Sequence, residues 1–187
     1  MISSNDFRNG VTIVIDNNLW TVIEFLHVKP GKGSAFVRTR LKNVKTGATV
    51  ERTFRAGEKL ERATVDTREM QMLYNDADGY HFMDLENFEN ITVQRDLIGD
   101  PADFLKDGMR IAVQFHGDNA IGVDLPAHVE LRVEETDPGF KGDTATGATK
   151  PAKLETGASV NVPLFVNPGD VIRIDTRDRR YIGRAQT

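Results

Sequence analysis

The polar and apolar positions of this chain alternate over short runs with a period of two, which is the period of β-strands. Residues 11–16 (VTIVID) and 19–28 (LWTVIEFLHV) read as two strands of a hairpin, with Asn17-Asn18 supplying the φ > 0 positions of a tight turn. A loop, Lys29-Pro30-Gly31-Lys32-Gly33-Ser34, separates them from a third run at 35–44 (AFVRTRLKNV). There Val37, Thr39 and Leu41 fall on one face, and Arg38, Arg40 and Lys42 fall on the other. Lys45-Thr46-Gly47 turns the chain into 48–54, so the first block is a small meander that closes into a barrel or sandwich.

A second hairpin follows, from 64–74 and 80–84 around the turn cluster 75–79 (NDADG). The one helix signal spans 100–108: Asp100 suits an N-cap, Pro101 the first helical position and Gly108 the C-terminal stop, giving about two turns. Strand patterns resume at 110–116 and 120–125. A few strands with one short helix fit an OB-like barrel, although periodicity does not separate that from other small barrels. From 127 the run HVELRVEET leads through Asp137-Pro138-Gly139 into a polar stretch, 141–151 (KGDTATGATKP), read as an ordered or binding loop because strands continue at 159–165 and 171–175. The expected fold is all-β, in three small barrels.

Charge sharpens this division. The 187 residues carry a formal net charge of −4 and no Cys. Residues 1–63 hold 11 Lys/Arg against 6 Asp/Glu, 64–126 hold 4 against 13, and 127–187 hold 9 of each, so the balances are +5, −9 and zero. Three domains at 1–63, 64–126 and 127–187 follow as the expectation, with the basic block placed to meet an anionic partner. Without Cys there is no disulfide framework, thiolate zinc site or cysteine nucleophile. The N-terminus lacks the basic and apolar regions of an export signal, and no run approaches the roughly 20 apolar residues of a spanning helix. A cytoplasmic protein without a membrane partner is expected.

Candidate chemistry is sparse. There is no phosphate loop, dinucleotide glycine fingerprint, HExxH or nucleophile elbow. His27, His81, His116 and His128 are dispersed, and Asp76, Asp78, Asp84, Glu86 and Glu89 lack calcium-loop spacing, so no catalytic residue, cofactor or metal is expected. The sharpest feature is Lys32. Strands rising about 3.3 Å per residue hold its loop roughly 25 Å from the far end of the hairpin. Pro30 restricts the backbone while Gly31 and Gly33 allow positive φ and close approach, so the lysine is presented bare. With Lys29 behind it and Arg38, Arg40 and Lys42 along the neighbouring strand, the arrangement suits a probe entering a phosphate-lined crevice.

Three segments, FLHVKPGKGSAFVRTRLKNV, YNDADGYHFMDLE and KGDTATGATKPAKLETGASVNVPLFVNPGD, resemble bacterial elongation factor P, in order and over essentially the whole chain. Lys150, Ala152, Gly157, Val160, Val162, Pro163, Val166 and Gly169 stand at the intervals of the family signature. The resemblance implies an SH3-like (KOW-like) barrel followed by two OB-like barrels, L-shaped in mimicry of tRNA. It also implies a monomeric, non-enzymatic factor that binds ribosomes stalled on consecutive prolines between the P and E sites, touching rRNA of both subunits. Lys32 would reach the CCA end of the P-site peptidyl-tRNA and be the substrate of a lysine-modifying enzyme. Gly142, Asp143 and Thr144 would meet E-site mRNA, and Tyr181 and Arg184 would face the small subunit.

Two departures stand out. Ser34 occupies a position that varies in the family, so it does not indicate a modifying enzyme, and Asp178-Arg179-Arg180 stands where a Gly-Glu pair is common. Two other classes compete. A general single-stranded nucleic-acid binder would interleave aromatics with a basic groove, yet only 7% of residues are aromatic and the OB-like block is acidic. A hydrolase using the acidic block would need a spaced carboxylate pair.

Overall fold

A computed structural model describes residues 1–139 and 147–185. Its strands are β1 (Ile2–Ser3), β2 (Thr12–Ile15), β3 (Asn18–Val28), β4 (Phe36–Asn43), β5 (Thr49–Arg55), β6 (Lys59–Arg62), β7 (Asp66–Asp76), β8 (Gly79–Asp84) and β9 (Asn90–Val93), followed by one α-helical turn, α1 (Arg95–Ile98). A 3₁₀ segment, Asp100–Phe104, precedes β10 (Arg110–His116), β11 (Asn119–Asp124), β12 (His128–Thr136), β13 (Thr149–Leu154), β14 (Ser159–Pro163), β15 (Val171–Asp175) and β16 (Arg180–Arg184). They form three sheets, ordered β1-β6-β2-β3-β4-β5, β11-β10-β7-β8-β9 and β14-β13-β12-β15-β16. The all-β expectation holds. No helix among the described residues is long and apolar enough to cross a membrane.

The chain divides into two compact units, Met1–Arg68 with Val113–Gly122, and Glu69–Ala112 with Val123–Thr187. In the first unit, Phe7, Ile13, Val22, Val37, Leu41 and Phe54 build the core. β4 shows why: Val37, Thr39, Leu41 and Asn43 are buried, while Arg38, Arg40 and Lys42 between them are exposed. The two polar groups facing inward are satisfied, Thr39 Oγ1 donating to the Arg52 carbonyl at 2.6 Å and Asn43 Oδ1 accepting from the amides of Lys45 and Thr46. Buried Ser4 Oγ donates to the Arg55 carbonyl at 2.6 Å, tying the chain just after β1 to the end of β5 and bringing the two edges of the sheet together.

In the second unit, Val129, Leu131 and Val133 of β12 pack with Leu154, Val160, Val162, Ile172 and Ile174. Here β13 runs through what reads in the sequence as the end of a polar loop. Two features hide it: Pro151, which cannot donate to a ladder, and Lys150, a charged residue at an inward position. Lys150 is buried and its ammonium donates to the Asp137 carbonyl at 2.5 Å, while the Pro151 carbonyl accepts from Thr136 Oγ1. β16 likewise lies in the basic ending that has no strand pattern, and β1, β6 and β9 are too short to read.

Three local expectations need correction. The left-handed residues of the β2–β3 turn are Asp16 (φ 51°) and Asn17 (φ 60°), one position earlier than Asn17-Asn18, because β3 already begins at Asn18. The turn after β7 is only Ala77-Asp78, since the strand persists to Asp76. Gly79 (φ 133°) is required there: a Cβ would sit 2.7 Å from the Val93 carbonyl oxygen. Finally, the two-turn helix at 100–108 is a 3₁₀ segment of five residues capped by Gly99, with Leu105 already extended. So short a segment gains little from helical propagation, and burial of Ala102 and Phe104 sets its path instead.

Leu41, fully buried at the centre of the first core, is the position to probe. Leu41→Ala is expected to lower unfolding free energy by about 2–5 kcal/mol in urea titration.

Candidate functional site

β3 and β4 pair antiparallel from Trp20↔Asn43 to Val28↔Phe36, and β5 follows β4 out to Phe36↔Arg55. β2 pairs with β3 from Asn18 to Thr21, so a three-stranded ribbon carries the Lys29–Ala35 loop. A register shift between Val22 and Glu24 marks a bulge, which increases local twist just where β3 leaves β2. Lys29 and residues 31–34 are exposed and Pro30 is half-buried. Gly33 takes φ 115°, with its Cβ direction toward Pro30 Cγ. Gly31 does not use the positive-φ region expected of both glycines, because one left-handed residue suffices to reverse the chain. Lys32 forms no ion pair among the described residues.

The outer face of the ribbon is less uniformly basic than its strand sequence. Arg40 stands between Glu24 and Glu51 across the sheet and pairs with Glu24 at 3.8 Å, an exposed contact worth little energy that still masks charge. Arg38 lies between Leu26 and Thr53, and Lys42 between Thr21 and Thr49. Neither has a carboxylate partner among the described residues, so they, Lys29 and Lys32 are among the cations open to an anion.

Tyr181 and Arg184 lie on β16 in the second unit. Tyr181 is half-buried and packs against the barrel core. The Arg184 guanidinium lies 4.9 Å from the ring centroid of exposed Phe165, and one of its nitrogens donates to the Phe165 carbonyl at 3.2 Å and Asp170 Oδ2 at 3.3 Å. Gly142, Asp143 and Thr144 lie outside the described residues.

A cluster absent from the sequence reading lies nearby in chain order. Asp103 accepts from Arg95 at 2.6 Å and from Arg179 at 2.9 Å, and Arg95 donates to the Tyr80 hydroxyl at 3.0 Å. Its partners are far apart in sequence, Arg179 lying 76 residues from Asp103, so no local pattern marks it. Hydrogen bonds from Arg179 and then Arg95 hold the Asp103 carboxyl below its ordinary range. Asp76 is lowered by its bond with His81, at 2.9 Å, and Asp175 by the amides of Asp178 and Arg177. His81 is further engaged by Thr92 Oγ1 at 3.0 Å and stacks on Tyr74, and His116 Nδ1 meets the Thr64 carbonyl at 3.0 Å. These histidines are structural, and among the described residues no group of three or more His, Cys, Asp or Glu is placed to hold a metal.

An exposed cationic loop on an all-β chain with a basic first block suits a protein that meets an anionic partner, and comparison with known proteins shows the family. Models described as the elongation factor P KOW-like domain, OB domain and C-terminal domain match residues 3–60, 65–123 and 129–184. The elongation factors P of Moorella thermoacetica and Gloeobacter violaceus are each 60% identical over 185 residues, covering 99% and 98% of this chain and 100% and 99% of theirs. In fold, a eukaryotic translation initiation factor 5A from Methanococcus jannaschii is similar with TM-score 0.55 at 21% identity, over 67% of this chain and 90% of its own. The chain belongs to the elongation factor P family of translation elongation factors, with a KOW-like domain followed by OB domains.

The lowered carboxyls give a pH prediction. A carboxyl whose folded pKa is depressed contributes stability above its unfolded value, about 3.9 for Asp, and loses it as pH falls through the folded value. Stability is therefore expected to drop below about pH 4, and Asp103→Asn to flatten that drop, as followed by thermal melts between about pH 2 and 7.

Proposed function

We propose that this chain binds the ribosome between the P and E sites and promotes peptide bond formation at consecutive prolines, with Lys32 directed to the CCA end of the peptidyl-tRNA. The observation that carries this reading is the Lys32 loop: an unpaired ammonium at the end of a three-stranded ribbon, flanked by Lys29, Arg38 and Lys42, in a member of the elongation factor P family.

Proline's ring fixes φ and makes the reacting ends hard to align. A factor without a nucleophile or base of its own accelerates such a step by holding the CCA end in a reactive geometry, an orientation effect worth several kcal/mol in favourable cases. The chemistry then stays with the ribosome, and the chain is an accessory factor without cofactor. Extension of Lys32 by a modifying enzyme adds reach and hydrogen-bond donors. The charge division supports the same placement: domain 1–63, at +5, faces RNA, while domain 64–126, at −9, avoids nonspecific adhesion to it. In domain 127–187, Gly142, Asp143 and Thr144 meet E-site mRNA, and Tyr181 and Arg184 meet small-subunit rRNA. Arg184 reaches RNA from its place against Phe165, and half-buried Tyr181 supports the strand more than it offers surface. The factor works as a monomer in the cytoplasm.

Lys32→Ala is expected to change unfolding free energy by less than about 0.5 kcal/mol, since the side chain touches no core, and to abolish stimulation of a Pro-Pro-Pro reporter in reconstituted translation. Full stimulation by the variant refutes the reading. The Lys32 peptide of the native protein is expected to be heavier than the encoded sequence in mass spectra.

A further inference from the structure

The link between the OB-domain segment and the C-terminal barrel is built around one buried ring. Phe104 follows α1 in sequence and is 1% exposed, yet it belongs to the core that Val129, Leu131, Leu154 and Ile172 build in the C-terminal barrel. The ring is a plug delivered by one domain into the core of the next.

Ion pairs tie down the chain before and after the plug. The Arg179 guanidinium lies over the Phe104 ring at 4.8 Å, and its nitrogens reach Asp103 Oδ2 at 2.9 Å and the Asp100 carbonyl at 3.5 Å. Asp103 in turn holds Arg95, which holds the Tyr80 hydroxyl of β8, so β8, α1, the 3₁₀ segment and the turn before β16 form one chain of contacts. Two residues after the plug, Lys106 pairs with Glu155 at 3.0 Å, and the same Glu155 oxygen accepts from the Arg132 amide at 2.8 Å. An isolated exposed ion pair would fix little. Here the pairs bracket a buried aromatic, and the Asp103 carboxylate takes a guanidinium on each oxygen.

Arg179 adopts φ 55°, a left-handed conformation that side chains bearing a Cβ adopt at a cost. Glycine would meet the backbone requirement freely but would bring no guanidinium. The strain persists because the bond to Asp103 and the contact with Phe104 offset it.

We propose that Asp103, Phe104 and Arg179 are positioning residues: the clasped plug holds the C-terminal barrel, and with it Tyr181 and Arg184 on β16, in one orientation relative to β8 and α1. Tyr181 and Arg184 follow Arg179 by two and five residues, so an RNA-contacting strand begins at the clasp. Loosening it lets the barrel sample other orientations, which weakens binding to a surface touching both domains and leaves the action of Lys32, once bound, intact. The consequence for binding rests on the function proposed above, whereas the clasp itself does not.

Residual dipolar couplings measured on the full-length protein test the clasp. Amides of β8, β9 and α1 and those of β12 to β16 are expected to fit one alignment tensor in the wild type and to need two in Asp103→Asn and in Arg179→Gly, with Asp103→Glu restoring one. In reconstituted translation of the Pro-Pro-Pro reporter, both disrupting variants are expected to raise the half-saturating factor concentration about threefold to tenfold with the saturating rate unchanged, and Asp103→Glu to restore it. A single tensor in both disrupting variants overturns the clasp. Two tensors with an unchanged half-saturating concentration overturn its positioning role. Failure of the wild type to stimulate the reporter overturns the function and leaves the couplings to decide the clasp.

Discussion

The alternation along β4 is the constraint from which the first unit follows. Val37, Thr39 and Leu41 are sealed inside, so Arg38, Arg40 and Lys42 must project outward, because successive side chains of a strand cannot share a face. The same alternation fixes the pairing of β3 with β4 and of β4 with β5, since a slip of one residue would bury three cations and expose the core. The Lys32 loop is thus placed by packing at the other end of its strands. Its own residues need only reverse the chain, and Gly33 alone takes the unusual φ.

In the second unit the governing contact is between segments far apart in sequence. Phe104 leaves the segment that carries α1 and completes the core of the C-terminal barrel, which makes that core dependent on a residue from outside the barrel's own strands. Charge follows burial: with the ring in place, Arg95 and Arg179 both come within hydrogen-bonding distance of the Asp103 carboxylate. One acid of the 64–126 block, Asp103, thus has a structural role in addition to its charge.

Much of the strand order was legible because burial on one face leaves a period of two in β4, β10 and β12. Legibility failed where an inward position holds something other than an apolar residue. Lys150 is the clearest case, its buried ammonium satisfied by a carbonyl that only the fold brings near. The helix expected at 100–108 failed for a related reason: its capping residues are locally sound, but tertiary burial of Phe104 outweighs local preference. At the candidate site, the loop and its flanking cations were readable from composition and spacing. The masking of Arg40 by Glu24 and Glu51 was not, because cross-strand neighbours depend on register.

By itself, the sequence determined the all-β class, the charge division into +5, −9 and zero, and the exposed lysine between Pro30 and Gly33, since each depends on residue type and near spacing alone. Tertiary structure decided which cations of the ribbon stay unpaired, where β13 and β16 run, and that Phe104 serves a neighbouring barrel. Those outcomes depend on contacts across 10 to 80 residues of chain, for example the 76 separating Arg179 from Asp103, and no local pattern records them.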